Sequence, residues 1–233
     1  VRSGDIKGAP AGLPAGWRLT VGYLIGPAAN LAGANLAGAN LTGLDLSQSL
    51  MTSVRSGRIT GNPAGLPAGW LATGGYLVGP NADLRNADLT GLDLSAADLT
   101  GVKAGGITGA PSALPDGWQF AHGFLIGPGV DLSRADLSGV DLTGIDLSTA
   151  SLWEVRSGGT KGTPTGLPWG WILRGGFLLG PGADLSGVDL HGLDLNLAYL
   201  GSANLTGVRS GGITGTQVLP AGWSLAGGWL IGP

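Results

Sequence analysis

The chain has 233 residues, 47 of them Gly and 14 Pro, is 43% hydrophobic and 12% charged, and carries a net charge of −3 and no Cys. Without Gly-x-y triplets this glycine content excludes collagen, and apolar content this high with so little charge excludes intrinsic disorder. The near-balanced charge, with no basic stripe, excludes a nucleic-acid binder; the lack of Cys excludes disulfides and thiolate sites; and no apolar run nears the roughly eighteen residues of a membrane span.

Two periods run along the chain, and the longer one opens it. Residues 1–27, from Val1-Arg2-Ser3-Gly4 to Tyr23-Leu24-Ile25-Gly26-Pro27, return as inserts at 54–80, 102–128, 155–181 and 208–233. Each copy holds Leu-Pro-x-Gly-Trp, with Trp17, Trp70, Trp118, Trp171 and Trp223, and a second aromatic six residues on: Tyr23, Tyr76, Phe124, Phe177 and Trp229. The run Trp17-x-Leu19 to Gly22-Tyr23-Leu24-Ile25 predicts a short β-hairpin. Pro14 and Pro27 bracket it, since proline removes a ladder donor and suits strand ends. The head of each insert keeps a five-residue step, as from Val54 to Ile59, and reads as degenerate coil leading into the hairpin. The five repeated Trp are expected to fill the hairpins' own apolar faces; a stripe for stacking sugar rings is the alternative. Trp153 and Trp169 lie outside the pattern, so the fold does not demand them, and they are the candidate interaction residues.

Between the inserts lie blocks 28–53, 81–101, 129–154 and 182–207. In these a small residue, Asn or Asp, Leu and two small residues recur, as in Ala34-Asn35-Leu36-Ala37-Gly38 and Val140-Asp141-Leu142-Thr143-Gly144. The central positions are Leu31, Leu36, Leu41, Leu46 and Met51; Leu84, Leu89, Leu94 and Leu99; Leu132, Leu137, Leu142, Leu147 and Leu152; Leu185, Leu190, Leu195, Leu200 and Leu205. A period of five matches neither a helix face nor an alternating strand. It fits a coil that turns a corner every five residues with two of them pointing inward, each unit stable only when stacked on copies of itself. The whole of 1–233 therefore reads as one repeat array. Large β-branched residues two before the centre, such as Ile145, are expected to strain a narrow coil. Blocks of five repeats turn one side further than the four-repeat second block, so that shorter block is expected to rotate the later hairpins relative to the earlier ones.

These blocks resemble the pentapeptide-repeat family, whose signature is A-(D/N)-L-x-x. The resemblance implies an all-β fold, a right-handed four-sided β-helix with about twenty residues per coil, here bearing recurring hairpins. It implies that Leu36 and its equivalents form an inward ladder, with Asn35, Asp88 and Asp141 outside.

Candidate chemistry is sparse. His122 and His191 are the only histidines and Glu154 the only glutamate, and no nucleophile motif or phosphate loop is present, so no enzyme, no cofactor and no metal site is expected. Asp residues twenty apart are expected to stack around the outside. Ca²⁺ could relieve their repulsion, but ordinary solvated or backbone-bonding surface is the expected role. The ends fall at insert boundaries without polar caps, which points to a segment of a longer repetitive protein or to a subunit that stacks. The expected function is a noncatalytic structural or assembly element, a rod in an extracellular or cell-surface filament, stalk or layer, associating end to end or laterally with itself or with further repeats. A protein- or glycan-interaction scaffold is the alternative. A DNA-mimicking gyrase binder of the kind found among pentapeptide-repeat proteins would need a continuous acidic face, which a charge of −3 does not supply.

Overall fold

A computed structural model describes every residue but Val1 and divides into two compact units, Val1–Leu125 and Ile126–Pro233. No helix forms among the described residues.

In the first unit, successive repeats pair in parallel with residues twenty further on: Asn30 with Leu50, Asn35 with Arg55, Asn40 with Thr60 and Asp45 with Gly65. Four repeats thus complete one coil, and the coil has four sides. The second unit repeats the scheme, with Asp131 on Ser151, Asp136 on Arg156, Asp141 on Lys161 and Asp146 on Gly166. Backbone bonds close both directions. The Leu36 N–H donates to Arg55 O at 2.8 Å between coils, and the Ala39 N–H donates to Leu36 O at 3.0 Å around the corner.

The central residues all point inward, from Leu36, Leu89, Leu142 and Leu190 at 0% exposure to Leu152 at 3%. Small partners such as Ala29, Ala82 and Ala183 fill the second inward place, also at 0%. Larger residues also occupy this second inward place. Ile145 is 7% and Leu44 4% exposed, both seated in the core. Leu92 and Leu193 pack under hairpin turns where Gly74 and Gly175 leave room, because a Cβ on either glycine would collide with the leucine's methyl carbons.

Each insert forms an antiparallel hairpin: β1 (Arg18–Thr20) with β2 (Tyr23–Ile25), β3 (Leu71–Thr73) with β4 (Tyr76–Val78), β5 (Gln119–Ala121) with β6 (Phe124–Ile126), β7 (Ile172–Arg174) with β8 (Phe177–Leu179), and β9 (Ser224–Ala226) with β10 (Trp229–Ile231). Two residues join the strands, both with positive φ, as at Val21 (44°) and Gly22 (80°). This backbone twist matches that of the strands, which is why a two-residue turn of this hand suits a hairpin. The hairpin fills an extra layer on one side of the coil. Gly75 O accepts from the Ile59 N–H below it at 2.9 Å, and the Tyr76 hydroxyl accepts from the Asp88 N–H above it at 3.0 Å.

The insert's fixed residues now have causes. Ser3, Ser56, Ser157 and Ser210 accept the N–H of Leu24, Leu77, Leu178 and Leu230, the strand position whose N–H turns away from its hairpin partner. The third insert has Ala104 in that place and offers no acceptor. The Trp70 indole lies on Gly79, Trp171 on Gly180 and Trp223 on Gly232, so near that a Cβ there would enter the ring. Tyr23, Tyr76 and Phe177 lie against Gly4, Gly57 and Gly158 more loosely, where a Cβ would meet the ring at 3.3 to 3.4 Å. The repeated Trp are hairpin core, and Trp171 is only 9% exposed.

Bridges across an insert join residues 28 apart, Arg2 to Asn30, Arg55 to Asp83 and Arg156 to Asp184, so an insert is one full coil plus eight residues of hairpin. It is the five-repeat block, and not the shorter second block as expected, that carries the next hairpin one side round. Tyr23 caps the Asn35 N–H, whose column continues through Arg55 to Asp83, whereas Tyr76 caps Asp88 on the following side. The four-repeat second block returns Lys103 to the Asp83 column, and Phe124 lies on Gly105 in line with Tyr76 on Gly57.

Candidate interaction surface of the second unit

The Asp and Asn of the repeat are occupied by the backbone. Each turns its Oδ1 onto the N–H two residues ahead: Asn35 to Ala37, Asp93 to Ser95, Asp141 to Thr143, Asp189 to His191. This is the Asx turn that makes the corner. Thr90, Ser95 and Thr143 add hydroxyl donors, and these bonds to the charged form hold Asp88, Asp93 and Asp141 below the usual carboxylate range.

The expected stacks of carboxylates do not form. Residues twenty apart are not both acidic in the actual registers: Asp83 lies between Arg55 and Lys103, Asp136 faces Arg156, Asp141 faces Lys161 and Asp189 faces Arg209. In these registers each aspartate lies against a cation or a neutral residue such as Thr108, Ser151 or Asn204, and no group of three or more metal-binding side chains occurs among the described residues. Asp83 is the tightest of these sites. Its carboxylate, 8% exposed, takes Arg85 at 2.8 and 2.9 Å and Arg55 at 3.0 Å, and the Arg85 bond above all lowers its pKa to about 2. A pKa depressed by folding stabilises the protein above pH 4, and that stabilisation is lost as pH falls toward 2. We expect about 2 kcal/mol of stability to disappear across this window through Asp83, and Asp83→Asn to remove that share of the acid sensitivity while the other depressed carboxylates keep theirs, read from thermal melts at pH 5, 3.5 and 2.5.

The two candidate tryptophans lie at two distinct depressions of the second unit. Trp169 is 81% exposed and meets Tyr199 with ring centroids 5.3 Å apart at 50°. Leu197, 76% exposed, and Val218, 46% exposed, complete an apolar shelf around a hollow of about 410 Å³. Four departures from the repeat meet here. Trp169 replaces the Ala15, Ala68 or Ala221 of other inserts, Leu197 holds a φ of 68° where its neighbours Gly187 and Gly192 stand, and Tyr199 takes the place of an Asx residue. The fifth insert is one residue shorter, so Tyr199 pairs nineteen residues on with Val218, and Gln217 enters the shelf with its Oε1 buried and without a hydrogen-bond donor. Leu197 and Tyr199 were not legible as site residues individually; comparison of the repeats with one another would have marked them.

Trp153 borders a second groove of about 590 Å³, lined by Arg134, Asp136, Glu154, Arg156, Asp184 and Asn204 among others. One ring face covers Gly182, whose Cβ position it occupies, and its Nε1–H donates to Glu154 at 2.9 Å. Arg134 clasps the same carboxylate at 2.6 Å and, with the indole, holds Glu154 below the usual range. Arg156 binds Asp184 at 3.0 Å and Ser186 at 2.9 Å. His122 sits in the β5–β6 turn and His191 in a repeat corner of the second unit.

A family model described as pentapeptide repeats matches the chain in eight copies over residues 29–55, 80–104, 128–153 and 181–209, the four blocks between the inserts. No curated protein shows significant similarity to the chain. Among solved structures it is similar to HetL, a pentapeptide repeat protein involved in heterocyst differentiation regulation from the cyanobacterium Nostoc sp. strain PCC 7120. Identity is 24%, over 84% of this chain and 91% of that one, with a TM-score of 0.22. Five-residue frame, twenty-residue coil and family match agree: the chain belongs to the pentapeptide-repeat family, and its fold is the right-handed four-sided β-helix, here carrying hairpin inserts.

Proposed function

We propose that this chain is a noncatalytic protein-interaction scaffold whose docking face is the Trp169–Leu197–Tyr199–Val218 shelf, and that its occupant is a second copy of the chain. The observation that carries this is the convergence on one spot of four departures from an otherwise strict repeat, all of them adding apolar surface or an unmet acceptor. A contiguous exposed apolar patch on a soluble protein marks an interaction site. Leu197 sets a large apolar side chain at a corner whose left-handed conformation other repeats give to Gly or to the polar Ser53, Asn86, Arg134 and Glu154. A net charge of −3 over 233 residues gives little repulsion between copies, and a self-complementary patch closes as a twofold dimer. The extracellular setting and filament expected from composition gain no support from the fold or its relatives, and the proposal rests on neither.

Sedimentation velocity across a wide concentration range tests it. Wild type should show a reversible monomer–dimer equilibrium, and Trp169→Ala with Leu197→Gly should raise the dissociation constant more than about tenfold with the fold unchanged by circular dichroism. A wild-type monomer at all concentrations, or an unaltered dimer in the double variant, overturns it.

A further inference from the structure

We infer that the Trp153 groove of the second unit is a binding site for neutral saccharides built from hexopyranose rings. The site is separate from the apolar shelf and does not depend on it.

Its first element is a fixed aromatic platform. Trp153 has one face against the Gly182 backbone and its Nε1–H tied to Glu154, which leaves the opposite face, with the residue 49% exposed, turned to solvent beside the groove. A ring held this way gives apolar stacking area with little ordering entropy left to lose on binding, and the C–H face of a pyranose is its natural complement.

The second element is the polar lining. Asp184 and Asn204 are joined at 3.1 Å, and Arg156, itself bonded to Ser186, extends the row along one side of the coil. Carboxylate, amide and guanidinium groups in fixed register can bind adjacent hydroxyls in pairs, the few convergent polar groups that give a small-molecule site its specificity. Charge decides against an ionic ligand. Arg134 already neutralises Glu154, and Arg156 lies between Asp136 and Asp184. With three carboxylates against two guanidiniums the groove is near balance, so neither an anion nor a cation gains much there, whereas a neutral polyhydroxyl exchanges water bonds for protein bonds. At about 590 Å³ the groove has the volume of a small-molecule site and accepts more than one sugar ring.

The third element is internal comparison. In the first unit the corresponding corner carries Thr52, Ser53 and Asn81 in place of Trp153, Glu154 and Gly182. The coil is built there without the aromatic or the ion pair, so Trp153, Glu154 and the bare Gly182 beneath the ring are not needed for folding.

The test is a titration followed by the indole N–H resonances of the full chain in ¹H–¹⁵N spectra, with Trp153 assigned from Trp153→Thr, the residue the chain itself uses at Thr52. The probes are cellotriose, maltotriose and laminaritriose, with tetramethylammonium and sulfate as the cationic and anionic controls. The expected result is a saturable shift of the Trp153 signal with at least one trisaccharide below about 10 mM, weakened at least about tenfold by Trp153→Thr (followed through backbone amides of the groove) and by Asn204→Ala, and unchanged by Asp93→Asn in the other unit. No Trp153 shift with any trisaccharide overturns the inference. A shift by tetramethylammonium or sulfate with none by saccharides also overturns it, in favour of an ionic site.

Discussion

Leu190→Ala should lower the unfolding free energy of this protein by about 3–4 kcal/mol, the cost of removing a fully enclosed leucine from a core that cannot collapse around the gap. Leu190 is 0% exposed and lies in the inward ladder between neighbouring coils, whose backbones are held at a fixed spacing by the bonds from Leu190 N–H to Arg209 O at 2.9 Å and from Arg209 N–H to Val188 O at 2.8 Å. Those bonds prevent the stack from closing over a missing side chain. In a solenoid each repeat contacts only its neighbours, so the loss also weakens coupling along the array and should broaden the transition. Asp189→Ala, one residue earlier, removes only the Asx bond to the His191 N–H and a 3.6 Å ion pair with Arg209, and should cost about 1 kcal/mol. Urea denaturation of the two variants decides the matter. If Asp189→Ala proves the more damaging, the outer turn and not the leucine ladder carries the stability.

Gly180→Ala should cost about 3 kcal/mol through one collision. A Cβ at this position falls inside the Trp171 indole, although the backbone conformation there is one that any residue tolerates. The ring, 9% exposed, has no free space to move into, so the β7–β8 hairpin must separate from its turn. The cause is testable by a double-mutant cycle. In a Trp171→Ala background, itself destabilised by about 3–5 kcal/mol, Gly180→Ala should add less than about 0.5 kcal/mol. A full second penalty in that background would show that the glycine serves the backbone and not the ring.

The sequence by itself determined the coil. Nineteen central positions holding eighteen Leu and one Met admit only a chain that turns every five residues and buries every fifth, and the inward ladder follows from that frame. Hairpin positions were also legible, because Leu-Pro-x-Gly-Trp and the paired aromatic leave few other ways to bury so much apolar surface. The lateral registers were not, because an insert adds a full coil plus eight residues, and nothing local reveals that sum. Only the tertiary structure decided that Asp83 meets Arg55 and Lys103 rather than another aspartate, which removes the acidic columns. It alone brought Trp169, Leu197, Tyr199 and Val218 together from two repeats and two inserts, and set Trp153 on Gly182. The physical reason is the same in both cases. Inward residues are fixed by the local five-residue period, whereas neighbours on the outside are fixed by how many residues lie between one coil and the next.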